Sequence, residues 1–106
     1  MDDRITREKL DKYLSLTQKG LLSVELLPPV GSHLAATASD FFSMAQSYYR
    51  DAVFYFQKED YVTSFAAVNY AHGYLDAGIR LGVFKGSGEG LFAFDSDSKK
   101  HREMSE

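Results

Sequence analysis

The hydrophobic and polar positions of this chain follow the periodicity of three long helices. From Ile5 to Val24, apolar residues recur at steps of three and four, and charged residues fill the positions between them. This is the pattern of a helix that is apolar on one side. Two further segments, about 32–58 and about 61–81, have the same rhythm. The pattern therefore predicts an all-α protein, a three-helix bundle with the order up-down-up.

The ends of these helices carry recognisable signals. Pro28–Pro29 lies in an extended crossover, because proline lacks the donor a helix needs and restricts the residue before it. Ser32 or Ser39 is suited to cap the second helix. The polar break at 57–60 is so short that the second and third helices must form a long antiparallel hairpin. Gly82 is expected to end the third helix.

Beyond Gly82 the sequence predicts a looser chain. Residues 86–90 are rich in glycine, 91–94 read Leu-Phe-Ala-Phe, and 95–106 are polar. We therefore divide the chain into a helical domain, 1–85, and a segment 86–106 made of a flexible linker, a short apolar stretch and a disordered tail. No stretch has the sequence signature of a β-hairpin.

The helix hairpin is rich in aromatic and small residues. Eleven of the fifteen aromatic residues lie between positions 41 and 74. Three alanines of the second helix are spaced by seven residues, and Gly73 and Ala77 are one turn apart in the third; the alanines are Ala38, Ala45 and Ala52. Small residues at such spacing allow helix backbones to approach closely. We interpret the stripe as core rather than as a ligand cleft.

Charge and composition exclude several classes of protein. The 106 residues carry a formal net charge of −3, and no segment is basic enough to neutralise a nucleic-acid backbone. With no cysteine, there is no disulfide, thiolate nucleophile or cysteine-based zinc site. The apolar runs are too short for a membrane span, and the charged N-terminus does not match a signal peptide. We expect a cytoplasmic protein without membrane or nucleic-acid partners.

One stretch of the third helix is unusually polar. Asn69, His72 and Asp76 fall on one side of that helix, and Tyr48 and Asp51 of the second helix are candidates to lie opposite them. These five residues are the candidate binding site. No catalytic residue, metal ligand set or cofactor is predicted, because no recognisable motif accompanies them.

Three interpretations of this polar stripe remain open. In the first, the stripe is a structural hydrogen-bond network that links His72 to Tyr48, Tyr49 or Asp51 and pairs Asp76 with Arg80. In the second, it forms part of a surface for a partner or a second copy. In the third, His72 and Asp76 form a metal or acid/base site, which would need a third ligand from Asp40 or Asp51.

Three sequence runs carry a resemblance to a known family. They are the tyrosine pair with its Asp-Ala, residues 48–52; the run from Phe56 to Val62; and the run from Ala66 to Gly78, which reads AAVNYAHGYLDAG. Together they resemble domain of unknown function family 357, over roughly residues 5–95. The resemblance implies a helical bundle and an archaeal cytoplasmic origin. It implies no activity, because the family has none assigned.

Two weaker similarities suggest function classes. The hairpin is similar to a single tetratricopeptide unit, which could serve as an interaction module but could not form a solenoid. It is also similar to the helical HEPN superfamily, but no arginine has a histidine at the spacing of its ribonucleases. The sequence thus favours a small, non-catalytic interaction or oligomerisation module. The alternatives are a small enzyme or ligand-binding bundle that uses the polar stripe, and a degenerate HEPN-like protein.

The low charge of the hairpin also predicts an uncovered apolar surface. Positions 32–82 carry eight charged residues, about 16%, against 25% for the whole chain. One amphipathic helix is too small to cover two such helices, and exposed apolar patches usually mark interaction sites. Either the chain's own segment 91–94 or a second copy, related by a two-fold axis, could cover this surface. We expect a protein partner or self-association as a homodimer.

Overall fold

The protein is a three-helix bundle with a long helix hairpin, as the sequence predicts. A computed structural model describes residues 6–86, and its helices are α1 (Arg7–Ser23), α2 (His33–Gln57) and α3 (Tyr61–Leu81). Two short strands, β1 (Glu25–Leu26) and β2 (Phe84–Lys85), complete it. The predictions for the N-terminal five residues and for the linker, apolar stretch and tail at 87–106 lie outside the described residues. Within residues 6–86, no helix has the length and hydropathy of a membrane span.

Each helix begins with a side-chain cap. Thr6, Ser32 and Asp60 accept hydrogen bonds from the backbone N–H three residues ahead, over 3.1, 3.1 and 3.2 Å. These bonds satisfy donors that have no partner inside the helix. Ser32, rather than Ser39, is therefore the start of α2. Gly82 ends α3 in the left-handed conformation, at φ 82°.

Small residues line the contact between α2 and α3. Ala38, Ala45 and Ala52 are completely buried on α2, which confirms their predicted role. Their counterparts on α3 are Ser64, Ala67, Ala71 and Gly78, all buried. The Ser64 hydroxyl donates a hydrogen bond of 2.6 Å to the carbonyl of Ala52, and this bond joins the two helices inside the core.

The expected close approach at Gly73 is wrong. Gly73 is exposed, and a Cβ built on it would meet no atom within 4 Å. Gly78 is the glycine that allows close packing, because a Cβ at that position would overlap the aromatic ring of Phe84. The two glycines are five positions apart, which is a rotation of about 140° in a helix of 3.6 residues per turn, so they lie on different sides of α3.

The chain does not loosen directly after Gly82, contrary to the sequence prediction. Val83 and Phe84 are buried, at 1% and 3% exposure, together with Ala38, Ala45 and Leu75. Antiparallel pairing of Leu26 with Phe84 and of Glu25 with Lys85 holds them in place. This pairing is between the α1–α2 crossover and the residues that follow α3. Because the two strands are far apart along the chain, no hairpin turn in the sequence could predict it.

Helix α1 covers one side of the hairpin. Its Leu10 and Leu14 are buried against Ala52 and Val68, while Tyr13 is 37% exposed. The Tyr13 ring nevertheless contacts Phe65 edge-on, with ring centroids 5.6 Å apart. Phe65 is half-buried at this contact rather than central to the core. The side of α3 that carries Phe65 is therefore the side that faces α1.

Candidate functional site

The five predicted site residues occupy three different environments. His72 and Asp76 are partly buried on α3, with side chains 28% and 22% exposed. Asn69 is exposed on α3, and Asp51 is exposed on α2. Tyr48 is half-buried between tyrosines of α3.

His72 and Asp76 form a pair within one helix. The distance from His72 Nε2 to Asp76 Oδ2 is 3.4 Å, which fits residues one turn apart. The first of the three interpretations of the stripe links His72 to α2, whereas this interaction lies along α3. Across residues 6–86, no three His, Asp or Glu side chains are grouped closely enough to hold a metal ion. The third ligand that a metal site needs, Asp40 or Asp51, is therefore not brought to this pair.

The more notable surface lies on the other side of α3. Tyr74 follows Phe65 by nine residues, which at about 100° per residue places it on the opposite side of the helix from α1. We call this surface the open face and define it by its six residues: Phe41, Tyr48, Tyr70, Gly73, Tyr74 and Ala77. Tyr70 is 61% exposed, so the face is in contact with solvent.

Four of these residues form a continuous row of aromatic rings. Tyr48 is stacked with Tyr70 and with Tyr74, with centroid distances of 5.1 and 6.0 Å. Phe41 contacts Tyr74 edge-on at 5.7 Å. Such contacts are worth about 0.5–1.5 kcal/mol each beyond the burial of area. The rings therefore present a preordered surface, which loses little side-chain entropy when a partner binds.

A groove of about 420 Å³ runs along the open face. Asn69 and Gly73 line it together with the aromatic residues Phe41, Tyr70 and Tyr74. Glycine in a helix interior is about 0.8–1.0 kcal/mol less favourable than alanine. No contact with the other described residues, 6–86, explains this one, since a Cβ at Gly73 would meet none of their atoms within 4 Å. An external backbone could approach α3 closely at this point.

The aromatic residue that faces the core differs from those of the open face. Tyr49 packs against the cluster that contains Leu10 and Val68. Burial raises the pKa of its phenol above the ordinary value, because a buried phenolate is poorly solvated. Tyr49 is thus a neutral structural residue, in contrast to the exposed Tyr70 of the open face.

Sequence reasoning assigned Tyr48 and Asn69 to a site but did not recognise the groove around them. From the sequence, Tyr70 and Tyr74 are interpreted only as aromatic residues of the core, and Gly73 is interpreted as a residue that allows close packing of helices. The available signal was their spacing: Tyr70, Gly73, Tyr74 and Ala77 follow one another at steps of three, one and three. These steps place them on one side of a helix, away from Val68 and Leu75.

Comparison with known proteins supports the fold and gives a family. The sequence model of a family described as protein of unknown function (DUF357) matches residues 12–84. The crystal structure of protein AF1782 from Archaeoglobus fulgidus, of the same family, is similar with a TM-score of 0.62 and 20% identity. That similarity covers 76% of this chain and 92% of the other. No curated protein matches the chain. The chain belongs to the DUF357 family, proteins of unknown function.

Proposed function

We propose that this protein is a non-catalytic helical module that self-associates as a homodimer through its open face. Two copies would meet across a two-fold axis, with α2 and α3 of one copy against α2 and α3 of the other. The observation that carries this proposal is the exposed aromatic groove around Gly73, on the side of the hairpin opposite to α1.

The composition of the groove supports a protein partner. Its lining is aromatic and small, apart from the amide side chain of Asn69. Tyrosine is enriched at protein interfaces, because the ring buries a large apolar area while its hydroxyl remains able to bind water or a partner. A half-exposed Tyr70 on an otherwise ordered row of rings is the arrangement of a binding anchor.

Charge favours a second copy as the partner. A two-fold interface brings each surface against itself, so a charged face would place like charges opposite each other. All six residues of the open face are uncharged. The face can therefore meet its own copy without repulsion.

Sedimentation of two charge variants tests this proposal. Tyr70→Glu introduces a carboxylate into the open face, where association with a second copy would remove the charge from water. Phe54→Glu is the matched control, since Phe54 is also an exposed aromatic, at 51%, outside the open face. Each substitution removes one aromatic contact within the chain. We expect the wild type and Phe54→Glu to be dimeric at micromolar concentration and Tyr70→Glu to be monomeric.

Two results would overturn the proposal. A wild-type chain that stays monomeric at high micromolar concentration would exclude self-association. A dimer that survives in Tyr70→Glu, or that is lost equally in both variants, would show that the open face is not the interface. Circular dichroism of each variant, with the helical signal of the wild type, ensures that a change in mass reflects association rather than unfolding.

A further inference from the structure

A second apolar surface lies at one end of the bundle, apart from the open face. We call it the end pocket and define it by Leu27, Pro28, Leu34, Leu81 and Val83, which line a cavity of about 390 Å³. Leu27, Leu34 and Leu81 are 49%, 50% and 53% exposed. It is unusual for a single small domain to leave three leucines half-exposed around one concave site.

The chain passes through this pocket just before the described residues end. Val83 forms part of the pocket wall, and its carbonyl accepts a hydrogen bond of 2.9 Å from the Leu27 N–H. The strand pairing of Phe84 and Lys85 with β1 then fixes the direction of the chain up to Gly86. Whatever follows Gly86 therefore starts within a few residues of the pocket.

The residues after Gly86 have the composition needed to turn back. Glycine occupies positions 86, 88 and 90, and Leu91-Phe92-Ala93-Phe94 is the only run of consecutive apolar residues between 86 and 106. A reversal centred on Gly88 would place Leu91 beside Lys85 and Ala93 beside Val83. Four residues between Gly86 and Leu91 span at most about 17 Å of extended chain, which suffices for this turn.

We propose that Leu91–Phe94 folds back on its own chain and occupies the end pocket. Leu27, Leu34 and Leu81 would then contact the phenylalanine side chains, which each bury about 150–250 Å² in apolar surroundings. A short linker raises the effective concentration of the segment to the millimolar range, so an intramolecular contact outcompetes the same segment of another molecule. The proposal is independent of the open face, because the two sites share no lining residue.

Paramagnetic broadening in the full-length protein tests this arrangement. The chain has no cysteine, so Ser96→Cys provides a single attachment point for a nitroxide label two residues after Phe94. We expect strong broadening of the methyl signals of Leu27, Leu34 and Leu81. The signal of Val62, at the opposite end of α3, should remain sharp. In the matched variant that also carries Phe92→Ser and Phe94→Ser, the selective broadening should be lost.

Mixing separates folding back from exchange between copies. Labelled protein without isotopes is mixed with isotope-enriched protein without the nitroxide, so that only intermolecular contact gives broadening. Sharp leucine signals in this mixture support the intramolecular contact. Broadening of those leucines in the mixture would instead assign the segment to a second copy. Stronger broadening at Tyr70 of the open face than at Leu81, or equal broadening along the whole chain, would also overturn the proposal.

Discussion

At the scale of single residues, the two glycines of α3 have opposite roles. Gly78 is buried against the Phe84 ring, whereas Gly73 faces open space. Replacement by alanine adds the same methyl group in both cases, and both changes improve helix propensity by about 0.8–1.0 kcal/mol. The packing around each glycine therefore decides the sign of the effect.

We predict that Gly78→Ala destabilises the protein and that Gly73→Ala stabilises the monomer. The added methyl at Gly78 forces Phe84 out of its position, and overpacking of this kind costs about 1–3 kcal/mol. At Gly73 the full propensity gain remains. Urea denaturation at low protein concentration measures both free energies of unfolding. Equal changes in the two variants would contradict the packing described for Phe84.

The pair of His72 with Asp76 allows a second prediction. Both side chains are partly exposed and lie one turn apart, so His72→Ala should lower the free energy of unfolding by about 0.3–1 kcal/mol. Added zinc or manganese should leave the melting temperature unchanged, because no third ligand joins the pair among residues 6–86. His33→Ala, at an exposed histidine, is the control. A metal-dependent rise in Tm that His72→Ala abolishes would contradict this structural role.

Residue-scale reasoning from the sequence succeeded where the pattern was local. The sequence predicts that Ala38, Ala45 and Ala52 line the α2–α3 contact, because their spacing alone fixes the side of α2 on which they lie. The burial of Val83 and Phe84 could not be predicted, since it depends on pairing with β1, far away along the chain. The groove was missed for a related reason: periodicity shows which side of a helix is apolar but not whether another helix covers it.

At the scale of elements, the hairpin turn contains a strained residue. Glu59 has a φ of 62°, in the left-handed region that favours glycine. The Asp60 N–H bonds to the Tyr55 carbonyl and the Glu59 N–H to the Phe56 carbonyl, which closes the end of α2 around this residue. The turn therefore needs the left-handed conformation whichever residue occupies the position.

We predict that Glu59→Gly stabilises the protein by about 0.5–1 kcal/mol. Glycine adopts the left-handed conformation without the steric cost of a Cβ, although it loses more entropy on folding. Glu59→Ala is the control, because it removes the carboxylate and retains the Cβ. Thermal denaturation should show a higher Tm for the glycine variant only. A similar gain in Glu59→Ala would indicate that charge, rather than backbone conformation, limits the stability of the turn.

At the scale of the whole molecule, two apolar surfaces formed by residues 6–86 have different properties. The open face is a row of ordered rings along the hairpin, and the end pocket is a concave site beside the place where the chain leaves β2. The sequence composition predicts an excess of apolar surface but does not distinguish one surface from two. Segment 91–94 and a second copy are therefore alternatives for covering the same surface in that prediction. The structure separates the surfaces, so a second copy and the segment 91–94 can each have a site of their own.

The pairing of β1 with β2 also bears on how the molecule folds. The two strands flank the α2–α3 hairpin in the sequence. Their pairing therefore closes a large loop that contains both helices, and it forms very few hydrogen bonds. The entropy cost of that closure is lowest once the intervening helices are already packed. The hairpin should thus form early and the two strands late. In hydrogen exchange of the native protein, the strand amides should then exchange before the amides of Ala38, Ala45 and Ala52, without unfolding of the helices.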